Sequence, residues 1–210
     1  MSRPDLSGAY ALKTPEDCLK LYADWAESYD ADFAAGMGYV LPAQVASAFM
    51  DMGGEGPVLD VGAGTGLLGA ALRGLGFQGL VDGIDLSPEM LERARAKGCY
   101  STLIAGDVTR HLNLSPVYRG IVSSGTFTHG HVGPEALRPL LTLALPGARV
   151  ALSVNAGIWQ SRGFPAALQA LGETVRDVSL DEVPIYTGDA ARHDPDHADD
   201  RALILRFVRS

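Results

Sequence analysis

Three glycines at alternating positions behind a carboxylate mark the segment best equipped for chemistry: Val58-Leu59-Asp60-Val61-Gly62-Ala63-Gly64-Thr65-Gly66. Its apolar start predicts a buried parallel strand, and Leu67, Leu68, Ala71, Leu72 and Leu75 predict a helix directly after the glycines. Such a strand–turn–helix unit offers free backbone N–H groups, and glycine lets the backbone come within contact distance of a ligand. It would bind a nucleotide-like cofactor at the carboxyl end of the first strand. A dinucleotide fingerprint, Gly-x-Gly-x-x-Gly, would need glycine at position 67 after Gly62 and Gly64. Position 67 is leucine, and the third glycine comes one residue early, at Gly66. Asp60 also suits a cationic group such as an ammonium, and would repel a diphosphate.

Three further segments carry polar groups at predicted strand ends. Gly79 to Ser87 contains a short strand ending in Asp85, 25 residues after Asp60. A carboxylate at the tip of a second strand can accept hydrogen bonds from both hydroxyls of a ribose. Asp82 is an alternative, but it lies earlier in the strand and should point away. Ser87-Pro88-Glu89-Met90 then caps a helix, with Met90 as a soft wall for a flat base. Ala105-Gly106-Asp107-Val108 follows a third strand. Ser123-Ser124-Gly125-Thr126-Phe127-Thr128-His129-Gly130-His131 follows a fourth, and a histidine of near-neutral pKa there, His129 or His131, could take a proton from an oxygen, nitrogen or thiol. His193-Asp194-Pro195-Asp196-His197 has metal-ligand residue types, but Pro195 stiffens it and no companion cluster lies upstream. It reads as a solvated loop, with no metal expected.

The elements that must position these groups follow from periodicity. Strands are predicted near 57–61, 80–85, 101–105, 120–124 and 148–154, with helices near 66–75, 88–97, 134–144 and 164–171. This alternation implies an α/β fold with a mostly parallel sheet covered on both faces. Glu173 to Asp181 and Ala202 to Val208 read as two final strands with no helix between them. Ahead of the sheet, Thr14-Pro15-Glu16-Asp17 predicts a helix start, followed by Cys18, Leu21, Tyr22, Trp25 and Tyr29 along one face. A second helix is predicted from Pro42 to Gly53-Gly54. Residues 1–52 thus form an N-terminal helical lid segment, and residues 53–210 the cofactor-binding core, within one structural domain.

Composition narrows the partners. A net charge of −8 argues against nucleic acid, which needs a basic face. Two cysteines, Cys18 and Cys99, are too few for a disulfide framework or a zinc site. The start, Met1-Ser2-Arg3-Pro4-Asp5, has no apolar core behind it and no run approaches membrane-spanning length, so a cytoplasmic protein with no membrane partner is expected. Oligomeric state is not legible.

Together these residues resemble motif I and the following strand ends of the class I S-adenosylmethionine-dependent methyltransferases. Tyr22 to Asp30, Gly38-Tyr39-Val40-Leu41-Pro42, Tyr118, the Gly125 to Val132 run and Asn155 are similar to the methyltransferase-like proteins of the Williams–Beuren syndrome region and their bacterial relatives. One departure is Arg119, where that group often has Asp; it should lie at the strand end away from the site. The resemblance implies a Rossmann-like sheet whose last strand is antiparallel, and S-adenosyl-L-methionine as cofactor. It implies that Asp60 and Gly62, Ala63, Gly64, Thr65 and Gly66 hold the methionine part and Asp85 with Leu86 the ribose. Met90, Gly106, Asp107 and Val108 would hold the adenine. Ser124, Trp25 and Tyr29 would lie beside the cofactor, the two aromatics also bordering an acceptor pocket with His129 and His131. Base-methylating chemistries lack their residues: no Asp/Asn-Pro-Pro-aromatic run and no Pro-Cys nucleophile follows the fourth strand. The expected reaction moves a methyl group to an O, N or S atom of a small molecule. A cofactor-binding regulatory protein without catalysis and a protein methyltransferase are the alternatives; a nicotinamide dehydrogenase is disfavoured by Leu67.

Overall fold

A computed structural model of the chain describes residues 17, 20, 21, 25, 29–110, 112, 115, 117–187 and 194–210. Seven strands form one sheet: β1 (Val58–Val61), β2 (Val81–Asp85), β3 (Thr102–Ala105), β4 (Tyr118–Phe127), β5 (Ala144–Asn155), β6 (Val175–Pro184) and β7 (Arg201–Arg209). Their order is β3-β2-β1-β4-β5-β7-β6. β1 to β5 pair in parallel, and β7 runs antiparallel between β5 and β6. The order reverses at β1, whose neighbours are β2 and β4, and in open α/β sheets that switch point is where ligands bind.

The longer helices are α1 (Leu41–Asp51), α2 (Leu67–Gly74), α3 (Pro88–Ala96), α4 (Leu137–Leu143) and α5 (Phe164–Leu171). Their apolar faces cover the sheet. Val45 and Phe49 of α1, Leu72 of α2 and Val58 of β1 are fully buried in one cluster. Leu59, Ile121, Leu152 and Leu205 belong to another with Leu140 and Phe164. Each such side chain contributes about 1.5–3 kcal/mol through burial. Ser87 caps α3, its side-chain oxygen accepting from the Met90 N–H, as its position before Pro88 predicts. Among the described residues no helix is long and apolar enough to cross a membrane.

Differences from the expected elements have local causes. The helix expected over 134–144 begins as a 3₁₀ turn, Pro134–Ala136, and ends at Leu143 because Ala144 already pairs with Tyr118. Pro146 and Gly147 then bulge out of β5 before Arg149 pairs with Gly120. The last strands start and end a few residues away from expectation, at Val175–Pro184 and Arg201–Arg209. Of the first predicted helix, Asp17, Lys20, Leu21 and Trp25 are helical, whereas Thr14, Cys18 and Tyr22 lie outside the described residues. A π-helical stretch, Tyr29–Ala34, continues into a short turn, Ala35–Met37. The segment after it is stitched to the end of β6: Val40 N–H donates to the Ile185 carbonyl and Thr187 N–H to the Gly38 carbonyl.

Candidate functional site

A cavity of about 400 Å³ opens over the carboxyl ends of the parallel strands. β1 delivers the glycine turn to it. Gly62 and Gly66 are hemmed in: a Cβ at Gly62 would lie 1.9 Å from Thr126 Oγ1, and one at Gly66 3.0 Å from the Tyr100 ring. Gly64 differs. Its φ is 53°, and a Cβ there would meet nothing nearer than the Gly62 carbonyl at 4.0 Å, so open cavity space lies against bare backbone. Gly62, Ala63, Gly64 and Thr65 line the cavity, while Gly66 serves helix packing.

Asp85 at the tip of β2 reaches back to this turn. One carboxylate oxygen accepts from Gly64 N–H at 2.8 Å and the other from Ser87 N–H at 2.9 Å; Leu86 N–H adds a third bond. Burial raises the Asp85 pKa, and these three bonds oppose it. A carboxylate has about four lone-pair sites, so bonding both hydroxyls of a ribose would require Gly64 N–H to turn to the ligand. Asp82 lies elsewhere, accepting from the Tyr118 hydroxyl at 3.0 Å outside the cavity lining.

Leu86, Met90, Gly106, Asp107 and Val108 line the same end of the cavity. Met90 packs with Trp25, which is 4% exposed, and Trp25 and Tyr29 line the cavity as well. Asp107 accepts from the Thr109 N–H and hydroxyl and pairs with Arg110 at 3.1 Å, and its pKa is lowered: partial burial opposes those partners, and they outweigh it.

Asp60 departs from expectation. It is fully buried, outside the cavity lining, and its Oδ2 accepts from the Tyr100 hydroxyl at 2.7 Å. Direct contact with a ligand ammonium is not what this geometry offers, because both faces of β1 are covered and the Asp60 side chain projects into a packed layer. Burial, the leading cause, pushes its pKa up to about 7.

The strand ends beyond the glycine turn supply the other wall. Between Ser123 and Phe127, β4 carries four residue steps against two on β5, a bulge that throws Ser124, Gly125 and Thr126 into the cavity. Gly125 takes φ 77°, and its N–H donates to Ser153 Oγ at 2.9 Å. Ser123 and Thr126 hydroxyls both donate to the Val61 carbonyl, at 2.6 and 2.9 Å, locking the bulge to the end of β1. His131 lines the cavity. Its Nδ1 sits 2.6 Å from the His129 carbonyl, an acceptor only, so Nδ1 carries the proton and the basic lone pair is on Nε2. Burial, with help from Arg162, lowers the His131 pKa and favours the neutral ring. His129 is not among the lining residues; its Nε2 lies 3.0 Å from where a side chain on Gly157 would begin.

Residue types and spacing did not point to several lining residues. Tyr39, Ile185, Tyr186, Ser153 and Ala202 come from segments far apart in sequence and meet only in the folded chain. Asp30 was missed too: it accepts from the Thr65 hydroxyl and from Lys97 Nζ, which also reaches the Thr65 carbonyl at 2.6 Å. A charged residue in a helical stretch gives no such signal. Of the possible metal ligands, His197 pairs with Asp200 at 3.3 Å, and His193 lies outside the described residues.

Residues 58–146 match the family model of a methyltransferase domain. The chain is 33% identical over 160 residues to human methyltransferase-like protein 27, an alignment covering 73% of this chain and 64% of that protein. The chain is thus similar to the methyltransferase-domain family over residues 58–146 and spans 64% of the length of that human relative. Among solved structures, the [4+2]-cyclase SpnF superposes with a TM-score of 0.67 at 15% identity, covering 95% of this chain and 97% of that one. A second is the Burkholderia thailandensis 1,6-didemethyltoxoflavin-N1-methyltransferase, with bound 1,6-didemethyltoxoflavin and S-adenosylhomocysteine. It gives a TM-score of 0.64 at 19% identity, covering 95% and 92% of the two chains. These two likenesses speak for the fold. The seven-stranded, mostly parallel sheet agrees with the architecture and cofactor class that the glycine spacing implies.

Proposed function

We propose that the chain transfers a methyl group from S-adenosyl-L-methionine to a small-molecule acceptor held at the far end of the same cavity. The observation that carries this reading is the bare backbone of Gly64, beside the Asp85 carboxylate and facing open space at the sheet's switch point. The fit is chemical as well as spatial. Gly62 to Thr65 provide backbone for the methionine part, Asp85 and Leu86 flank the ribose, and Met90, Gly106, Asp107 and Val108 flank the adenine. When bound, the cofactor supplies an electrophilic methyl group on a sulfonium. Ser124 and the bulge would hold the acceptor, and the aromatic side chains of Trp25 and Tyr29 would keep water out. Neutral His131 takes the acceptor's proton where that atom carries one. Alignment alone can supply much of the rate acceleration.

Incubation with methyl-labelled cofactor and a fractionated cell extract tests this. Label should appear in the low-molecular-weight fraction. Label confined to protein would favour a protein acceptor, and no enzyme-dependent label in either fraction would favour cofactor binding without transfer.

A further inference from the structure

The cavity has two chemically different ends. Strand neighbours lie about 4.8 Å apart, so Asp85 on β2 and Ala202 on β7, four strand steps away, are separated by about 19 Å. The β1–β3 end carries Asp85 and Asp107. The end over β5 and β7 is built from Tyr39, Leu41, Pro42, Ile185, Tyr186 and Ala202. Asn155 pairs with Ala202 there, and the Tyr39–Tyr186 bridge fastens the N-terminal segment to the end of β6. The polar groups at this end are uncharged: the Tyr39 hydroxyl lies 3.3 Å from Ser124 Oγ, and Ser153 and Asn155 are already engaged with Gly125 and Gly157 N–H groups. Among the described residues that line the cavity there is no lysine or arginine; Asp85 and Asp107 belong to the β1–β3 end, and Glu135 pairs with Arg162 at 3.8 Å.

Resting on the methyl-transfer reading, we infer that this end is the acceptor subsite and selects an uncharged, ring-sized apolar molecule, gripped at its hydroxyl by the Tyr39–Ser124 pair. The hydroxyls of Tyr39 and Ser124 can each donate or accept, so together they satisfy a neutral hydroxyl in both senses. The two tyrosine rings, 5.9 Å apart, and the side chains of Leu41, Pro42 and Ile185 cover its apolar body. An anionic acceptor would leave water and meet no lysine or arginine among the described lining residues, which is unfavourable. Glycine at 125 belongs to the same device, because any Cβ there would lie 2.5 Å from the Tyr39 hydroxyl.

Calorimetry of the full chain, first saturated with S-adenosylhomocysteine, with 2-naphthol, 2-naphthoate and 2-naphthyl phosphate as matched probes, tests the assignment. The expected order places 2-naphthol at least about tenfold tighter than either anion, since an unpaired buried charge costs well over the 1.4 kcal/mol of one decade. Tyr39→Phe should weaken 2-naphthol about threefold to tenfold, as loss of one hydrogen bond does, while S-adenosylhomocysteine affinity stays unchanged, and Ser124→Ala should weaken 2-naphthol by a similar factor. Tighter binding of an anion, or no binding of any of the three, overturns the inference. An unchanged 2-naphthol affinity in both variants also overturns it. Failure of S-adenosylhomocysteine to bind at the outset overturns the methyl-transfer reading instead.

Discussion

At Asp60, full burial opposes the Tyr100 hydrogen bond, and burial is the larger effect, so the carboxyl is pushed up to about 7 with a smaller contribution from Asp85. The ordinary value is about 3.9. Between those values the folded chain holds a proton that the unfolded chain has released, so stability falls as pH rises from about 4 to about 7. The raised Asp85 adds to the same trend. A displacement of that size corresponds to about 4 kcal/mol at most. Asp60→Asn should therefore flatten the dependence of unfolding free energy on pH between about 4 and 8, read from urea melts across that range. A slope identical to that of the native chain would show that Asp60 is ionised throughout. His131 has the opposite sign of shift. Its neutral form persists below the ordinary histidine value of about 6.5, so methyl transfer to a protonated acceptor should keep its rate to below that pH. His131→Ala should cut kcat by about 10²–10⁴-fold if the ring removes a proton, with cofactor affinity retained. A change in KM alone would make it a positioning residue.

At the scale of elements, the N-terminal segment and the glycine turn are tied by three residues. Asp30 from the π-helical stretch, Thr65 from the turn and Lys97 after α3 form one hydrogen-bonded group, with Lys97 23% and Asp30 41% exposed as side chains. A pair so exposed contributes about 0.2–1 kcal/mol by itself. Lys97→Ala should weaken S-adenosylhomocysteine by about twofold to fivefold. Hydrogen exchange should speed up in residues 29–40 while β1, β4 and β5 keep their protection, because the buried clusters under the sheet are untouched. Equal loss of protection in the sheet would mean that the tie supports the whole fold. The β4 bulge is the second device at this scale. It converts a strand into a wall of the site, and its register change is set by Gly125 and by two hydroxyls on the Val61 carbonyl.

Across the whole molecule, legibility followed sequence distance. The glycine turn, Asp85, the Ser87 cap and Met90 lie within one contiguous stretch, where spacing alone fixes which groups share the strand ends. Alternation of apolar runs with helical periodicity was enough for the order of elements. It was not enough for the β4 and β5 ends, where pairing of Tyr118 with Ala144 depends on a partner strand. Nor did it place Asp60, because four successive buried residues in β1 carry no alternation to show which face each side chain meets. The β5–β7 end of the cavity was least legible: Tyr39 and Tyr186 meet through a bridge across 147 positions, which leaves no periodic trace.

The central claim, that the β1–β3 end of the cavity holds a methionine-bearing nucleoside, is tested most directly by isothermal titration of the full chain. S-adenosylmethionine and S-adenosylhomocysteine should each saturate a single site, and NAD and NADP should give no comparable heat. Asp85→Ala should weaken both ligands by at least about tenfold, because it removes charge-assisted bonds of about 1.5–3 kcal/mol each, whereas Asp82→Ala should change neither. Saturable binding of NAD with no response to S-adenosylmethionine would contradict the account.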